Sequence, residues 1–116
     1  PRLSIADVKE EDLGGGLRQI TALIKNDRLM PTHASQDLKY KIERPDYIMI
    51  EGVEVQAGMI VDDEDRNVTT EQKVNPEKLE IANIPGNSIV KVRWIVKGKG
   101  IPKITVDSAK GGLVTR

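Results

Sequence analysis

The chain of 116 residues has no cysteine, no phenylalanine and a single histidine. Each absence excludes something. Without cysteine there is no disulfide framework and no thiolate metal site. A catalytic metal centre draws on several imidazoles, thiolates or carboxylates, and a catalytic nucleophile needs a base to activate it. His33 is the only side chain whose ordinary pKa lies near neutrality. Lys and Arg total 18, as do Asp and Glu, so the formal charge is zero and gives no electrostatic footprint for nucleic acid or an anionic membrane. No apolar run approaches the roughly 18 residues of a membrane-spanning helix. The composition therefore points to a binding or structural module with no catalytic residue, no cofactor and no metal of its own.

What is present is alternation. Leu3-Ser-Ile5-Ala-Asp-Val8 alternates and then slips by one residue, the pattern of a strand with a bulge. Gly14-Gly15-Gly16 follows, and Leu17 to Asn26 sets Ile20, Ala22 and Ile24 on one face against Gln19, Thr21 and Lys25 on the other. Together these predict a β-hairpin. Tyr47 to Ile50 is β-prone, Gly52 interrupts it, and Val53 to Ala57 alternates again. Leu79 to Ile84 is the next predicted strand, closed by Pro85-Gly86-Asn87. From Ile89 to Lys97 the pattern is clearest: Val90, Val92, Trp94 and Val96 share the inward face, with Lys91, Arg93 and Lys97 outward. Gly98-Lys99-Gly100 and Pro102 turn the chain, Ile104 to Ser108 forms another strand, and Gly111-Gly112 precede a last short one. Helical periodicity is almost absent. About seven short antiparallel strands punctuated by Gly and Pro predict an all-β, immunoglobulin-like β-sandwich spanning residues 1–116 as a single domain. The opening Pro1-Arg2-Leu3 and the strand-like end Leu113 to Arg116 read as a domain taken from a longer protein.

Several clusters invite a functional reading. Asp63-Glu64-Asp65-Arg66-Asn67, within the acidic stretch Asp62 to Asn67, matches the start of a calcium loop. Val68 then stands where a sharp turn requires Gly, and Val74 where a bidentate Glu closes the site, so a solvated hairpin tip is the stronger reading. Gly14-Gly15-Gly16 has no Lys-Ser/Thr sequel, and Gly98-Lys99-Gly100 no following hydroxyl, so both are turns rather than phosphate cradles. His33 has Ser35 and Asp37 close by in sequence, too close to converge as a triad. Lys91, Arg93, Lys97 and Lys99 form a basic strip on an outward face, without the interleaved aromatics that stack on nucleic-acid bases or sugars. Its readings are a solvated face or an inter-domain contact. The irregular stretch Asn26 to Ser35 carries Leu29, Met30, Pro31 and His33, and its apolar trio makes it the candidate interface loop. The rival reading has the trio plug the end of the sandwich.

One resemblance reaches beyond composition. Leu17-Arg-Gln-Ile-Thr-Ala-Leu-Ile-Lys-Asn-Asp-Arg-Leu-Met-Pro-Thr-His-Ala-Ser35 resembles the segment V-x-N-T-G-F/Y-L-P-T-x-x-S of the domain that follows the catalytic domain in bacterial zinc carboxypeptidases of the carboxypeptidase A type. Leu38-Lys-Tyr-Lys-Ile-Glu-Arg-Pro45 is similar to that family's A-L-x-x-K-x-V-x-P, and Val92 to Gly100 to its x-x-W-L-V-x-G-x-G. Ile104 to Gly112 is similar to the V-x-V-x-S-x-x-x-G that comes next. Asp27-Arg28 departs from the usual Thr-Gly, and Met30 from the usual aromatic.

The resemblance implies a non-catalytic β-sandwich tail, with zinc held only in a parent catalytic domain through an H-x-x-E … H pattern. His33 is followed three residues later by Gln36, so no metal or catalytic residue carries over. It further implies a secreted or cell-envelope location and the adjacent catalytic domain of the same chain as partner. An envelope protein or polysaccharide is a further partner, and nucleic acid and membrane insertion are not expected. The alternative expectation is a cell-surface adhesion or ligand-binding module of the same architecture. A calcium-stabilised module is the third.

Overall fold

In the computed structural model, which describes residues 3–27, 45–63, 68–81, 88–108 and 112–116, alternation becomes strand wherever it is strong. β1 (Leu3–Gly14) and β2 (Leu17–Asn26) form the predicted hairpin. Its tight turn has Gly15 and Gly16 at positive φ, a backbone that glycine adopts without steric cost. The expected bulge is present. Pairing passes from Ile5 opposite Ile24 to Asp7 opposite Leu23, leaving Ala6 as the extra residue. The extra residue lets Leu3 and Ile5 before it and Val8 after it all meet the core.

The remaining strands are β3 (Asp46–Glu51), β4 (Glu54–Asp63), β5 (Val68–Gln72), β6 (Lys78–Ile81), β7 (Ser88–Lys97), β8 (Lys103–Ser108) and β9 (Gly112–Thr115). They make two antiparallel sheets, a five-stranded one ordered β1-β2-β7-β4-β5 and a four-stranded one ordered β6-β3-β8-β9. The chain is thus an all-β immunoglobulin-like sandwich, with nine strands among the described residues where the sequence pattern suggests about seven. β5 is the strand without a sequence signal. Val-Thr-Thr-Glu-Gln offers no apolar alternation, because it is an edge strand with little of its surface buried. The predicted strand Leu79 to Ile84 is observed as far as Ile81, and the rest of it lies outside the described residues.

The core lies between the inward faces. Ile20, Ala22 and Ile24 from β2 and Val92, Trp94 and Val96 from β7 meet Ile48 and Ile50 from β3, Leu79 and Ile81 from β6, and Ile104 and Val106 from β8. Burying a side chain of this size contributes about 1.5–3 kcal/mol before the entropy of ordering is subtracted. Trp94 is fully buried, as its alternation predicts. Its indole N–H is satisfied by the Pro76 carbonyl at 3.0 Å. Gly58 faces Trp94 across the β4–β7 pairing, and a β-carbon there would stand inside contact distance of the Pro76 carbonyl and of the indole ring. The glycine makes the space that the tryptophan and the turn before β6 share.

Gly52 does more than interrupt a strand: the chain changes sheet there, from β3 in the four-stranded sheet to β4 in the five-stranded one. The β7–β8 connection crosses back at the same end, and the two crossings press backbone to backbone. A β-carbon on Gly52 would collide with the Ile101 carbonyl, and one on Gly100 with the Gly52 carbonyl. Arg18 covers this end of the sandwich, donating to the Gly100 carbonyl at 2.7 Å and pairing with Glu10 at 3.3 Å.

Candidate interaction face

The outward face of the five-stranded sheet carries the basic strip, and strand pairing shows its neighbours. Lys9, Thr21, Arg93, Met59 and Glu71 form one straight row across all five strands. The next row is Asp7, Leu23, Lys91, Val61 and Thr69. On the other side of the first row stand Glu11, Gln19, Ile95 and Ala57. Aliphatic and charged side chains are therefore interleaved on a face that has no layer of described residues over it. Val61 is only 9% exposed although its pairing with Lys91 sets it on this face and it is not part of the core cluster.

Within this face the short side chain of Thr21 stands between the long ones of Lys9 and Arg93. The result is a trough over β2 of about 390 Å³, lined by Lys9, Glu10, Glu11, Gln19, Thr21, Lys91 and Arg93. A small extension of about 30 Å³ continues past Asp7 and Leu23. Gln19, Thr21 and Leu23 form the floor. Lys91 and Arg93 of β7 form one wall, and Asp7, Lys9 and Glu11 of β1 form the other. Lys9 stands 3.9 Å from Asp7, and Glu10 is held by Arg18.

The predicted basic strip is thus divided by the fold. Lys91 and Arg93 are half-buried in the trough wall, whereas Lys97 and Lys99 are exposed. Lys99 lies beside a second hollow of about 380 Å³ between the β1–β2 turn and Gly98, whose lining also includes Asp12, Gly14, Gly15, Gly16, Leu17 and Arg18. Sequence reading places Gln19 and Thr21 on an outward face. It does not place them between Lys9 and Arg93, because that depends on β7 pairing with β2 across 61 or more intervening residues.

The four-stranded sheet has its own outward face. Tyr47 lies there, and Lys78 stands over its ring at 4.1 Å, a cation–π contact between β3 and β6.

The candidate interface loop residues Leu29, Met30, Pro31 and His33 lie outside the described residues. Residues 64–67 of the acidic stretch do too. At its start, Asp62 accepts a hydrogen bond from the Thr70 hydroxyl across the β4–β5 hairpin. Among the described residues, no three His, Cys, Asp or Glu side chains stand close enough together to hold a metal ion, and no helix is long and apolar enough to cross a membrane.

No curated protein and no solved structure matches the chain significantly. One family model covers residues 2–116, described as a domain of unknown function (DUF8731), and the chain belongs to that family.

Proposed function

We propose that this chain is a non-catalytic interaction module that packs against a neighbouring domain or protein through the outward face of its five-stranded sheet. The observation that carries this reading is the trough row Lys9–Thr21–Arg93–Met59–Glu71 and its aliphatic neighbours Leu23, Val61 and Ile95. An ordinary solvated sheet face alternates to polar side chains throughout. This one keeps the aliphatic residues Leu23, Val61 and Ile95 on its central strands, which suits a surface that is covered in use.

The parent we propose is a zinc carboxypeptidase-like metallopeptidase of the cell envelope or secreted fraction, with the zinc in the catalytic domain. This part of the reading rests on the sequence resemblance. The segment Val92 to Gly100 that carries it supplies Val92, Trp94 and Val96 to the core, and Gly100 to the crossing against Gly52.

The test is to express the full open reading frame beside the same protein lacking residues 1–116, and to measure zinc content and carboxypeptidase activity. Zinc-dependent activity that weakens or loses stability on truncation supports an accessory module of a peptidase. A full-length protein without zinc overturns the peptidase parent.

A further inference from the structure

We propose that the edge of β1 from Val8 to Asp12 is a self-association site. It pairs antiparallel with the same stretch of a second copy of this chain, so that two five-stranded sheets join into one. This goes beyond the interaction-face reading and does not rest on it, because it uses the rim of the sheet and not its outward face.

The direction of the backbone groups is fixed by strand pairing. In an antiparallel sheet the N–H and C=O of one residue point to the same neighbouring strand, and the direction alternates along the chain. Gly98 donates to the Gly16 carbonyl at 2.9 Å. The even-numbered residues of β2 therefore face β7, and the odd-numbered ones face β1. On β1, Asp7, Lys9 and Glu11 lie opposite Leu23, Thr21 and Gln19 and bond to β2. Val8, Glu10 and Asp12 lie opposite Ala22, Ile20 and Arg18, so their N–H and C=O groups point out of the sheet edge. Ile5, opposite Ile24, has the same direction, and there the Arg116 guanidinium meets its carbonyl at 3.1 Å.

This stretch differs from the other rims of the sandwich. Gln72 of β5 covers the free edge of β6, and Arg116 covers the start of β1. β5 and β9 are only five and four residues long. Between its register shifts at Ala6 and Leu13, β1 runs regularly from Asp7 to Asp12, and no described backbone group bonds its outer side there. A regular open edge is a template for another strand.

The side chains select a second copy and a register. A two-fold axis at Glu10 sets Val8 opposite the partner's Asp12 and Glu10 opposite the partner's Glu10, and each such pair exchanges two backbone hydrogen bonds. Lys9 then falls opposite the partner's Glu11, and Glu11 opposite the partner's Lys9. These form the closer type of pair, with Cα atoms about 4.5 Å apart, where facing opposite charges stabilise. Asp7 stands 3.9 Å from the Lys9 ammonium but leaves that side chain 79% exposed, open to a second carboxylate. The like-charged pair at Glu10 takes the wider spacing, about 5.5 Å, and each Glu10 keeps its own Arg18 at 3.3 Å. An axis at Val8 would run the pairing into the Ala6 bulge. An axis at Asp12 would oppose that carboxylate to itself and meet the Leu13 irregularity.

The experiment is sedimentation equilibrium of the chain up to about 1 mM, a range suited to a small interface, with isotope-filtered NMR on a mixture of labelled and unlabelled chains. The expected result is a mass rising toward twice the monomer's and an intermolecular Hα–Hα contact between Lys9 and Glu11. Amide exchange at Val8, Glu10 and Asp12 should slow as concentration rises. Lys9→Glu and Glu11→Lys should each weaken association by about tenfold or more, because each turns two facing pairs from opposite to like charge. An equimolar mixture of the two variants should restore it, since opposite charges face each other again. Lys9 and Glu11 are both exposed, and a dispersed spectrum of each variant reports an intact fold.

The proposal is overturned if the chain stays monomeric to about 1 mM, the concentration at which even a weak pair assembles. It is also overturned if the intermolecular contacts fall on the outward face, on another rim or in another register, or if the mixture associates no more tightly than either variant alone. None of these results bears on the zinc assay, so the β1 edge and the peptidase parent stand or fall separately.

Discussion

The side-chain amide of Gln72 pairs with the backbone of Glu80 as a peptide unit would. Its Oε1 accepts from the Glu80 N–H at 2.9 Å, while its Nε2 donates to the Lys78 carbonyl at 2.6 Å. Lys78 and Glu80 lie two residues apart on β6, so these are the carbonyl and N–H that the free edge of that strand directs away from β3. A single glutamine from β5 in one sheet thus occupies the edge of β6 in the other, and also binds the carbonyls of Val74 and Asn75 in the turn between them.

Removing that amide should therefore do two things. Gln72→Ala is expected to lower stability by about 0.5–1.5 kcal/mol, the usual net contribution of an intramolecular hydrogen bond whose partners water can reach. Gln72→Glu should be worse, because it loses the Nε2 donor and points a carboxylate at three carbonyl oxygens. Urea unfolding gives the first effect. Light scattering gives the second, since an uncovered strand edge invites pairing with another chain. An unchanged urea midpoint in both variants would show that the amide adds nothing to the fold.

Trp94 links the central strand β7 to the turn before β6. Trp94→Phe keeps most of the apolar bulk but leaves the Pro76 carbonyl without the indole donor. The expected loss is about 1–3 kcal/mol, combining the orphaned carbonyl with a small cavity. Gly58→Ala should be at least as damaging, because the new methyl meets backbone at Pro76 rather than a side chain that can swing away. Circular dichroism during urea unfolding checks both, since the first variant has lost the chain's only tryptophan.

The glycines separate into two kinds, and substitution should tell them apart. Gly15 is at φ +63° with open space around it, so Gly15→Ala should lose only the strain of the left-handed backbone, about 1–2 kcal/mol. At Gly100 the left-handed region is not involved. There the obstacle is the Gly52 carbonyl, and alanine must push two sheet crossings apart. Gly100→Ala should be the more destabilising of the pair by thermal melting. Equal shifts in the two melting temperatures would mean that the crossings yield easily.

Local pattern carried much of this fold in the sequence. The β1–β2 hairpin, the slip at Ala6, the inward Trp94 and the outward Lys91 and Arg93 all follow from two-residue periodicity and glycine placement within a dozen residues. What could not be read depends on distant pairing. β5 is polar because it is an edge, so it left no alternation to find. Gly52 is a visible interruption, but that it moves the chain to the other sheet depends on Gly100 packing against it from 48 residues away. The trough behaves the same way. Thr21 is legible as outward-facing, while its place between Lys9 and Arg93 requires β2 to sit between β1 and β7.

The opposite side of the sandwich is tied by Arg116, whose Nη1 donates to the Ile5 carbonyl at 3.1 Å, 111 residues away, beside the β1 bulge. Its backbone is held as well, exchanging two hydrogen bonds with Ile104 at 2.8 and 3.0 Å, so the side chain leaves from a fixed point on the four-stranded sheet. Arg116→Ala removes the link between sheets while keeping that backbone pair. The expected loss is about 1 kcal/mol globally. The sharper effect is local, because the residues before the bulge pair with β2 on one side only, and Arg116 supplies a contact on their other side. Hydrogen exchange should therefore quicken for Leu3 to Ile5 and stay unchanged for Lys9 to Asp12 in the same strand. Uniform acceleration along all of β1 would instead mean that the arginine supports the sandwich as a whole and does not fasten the start of the strand.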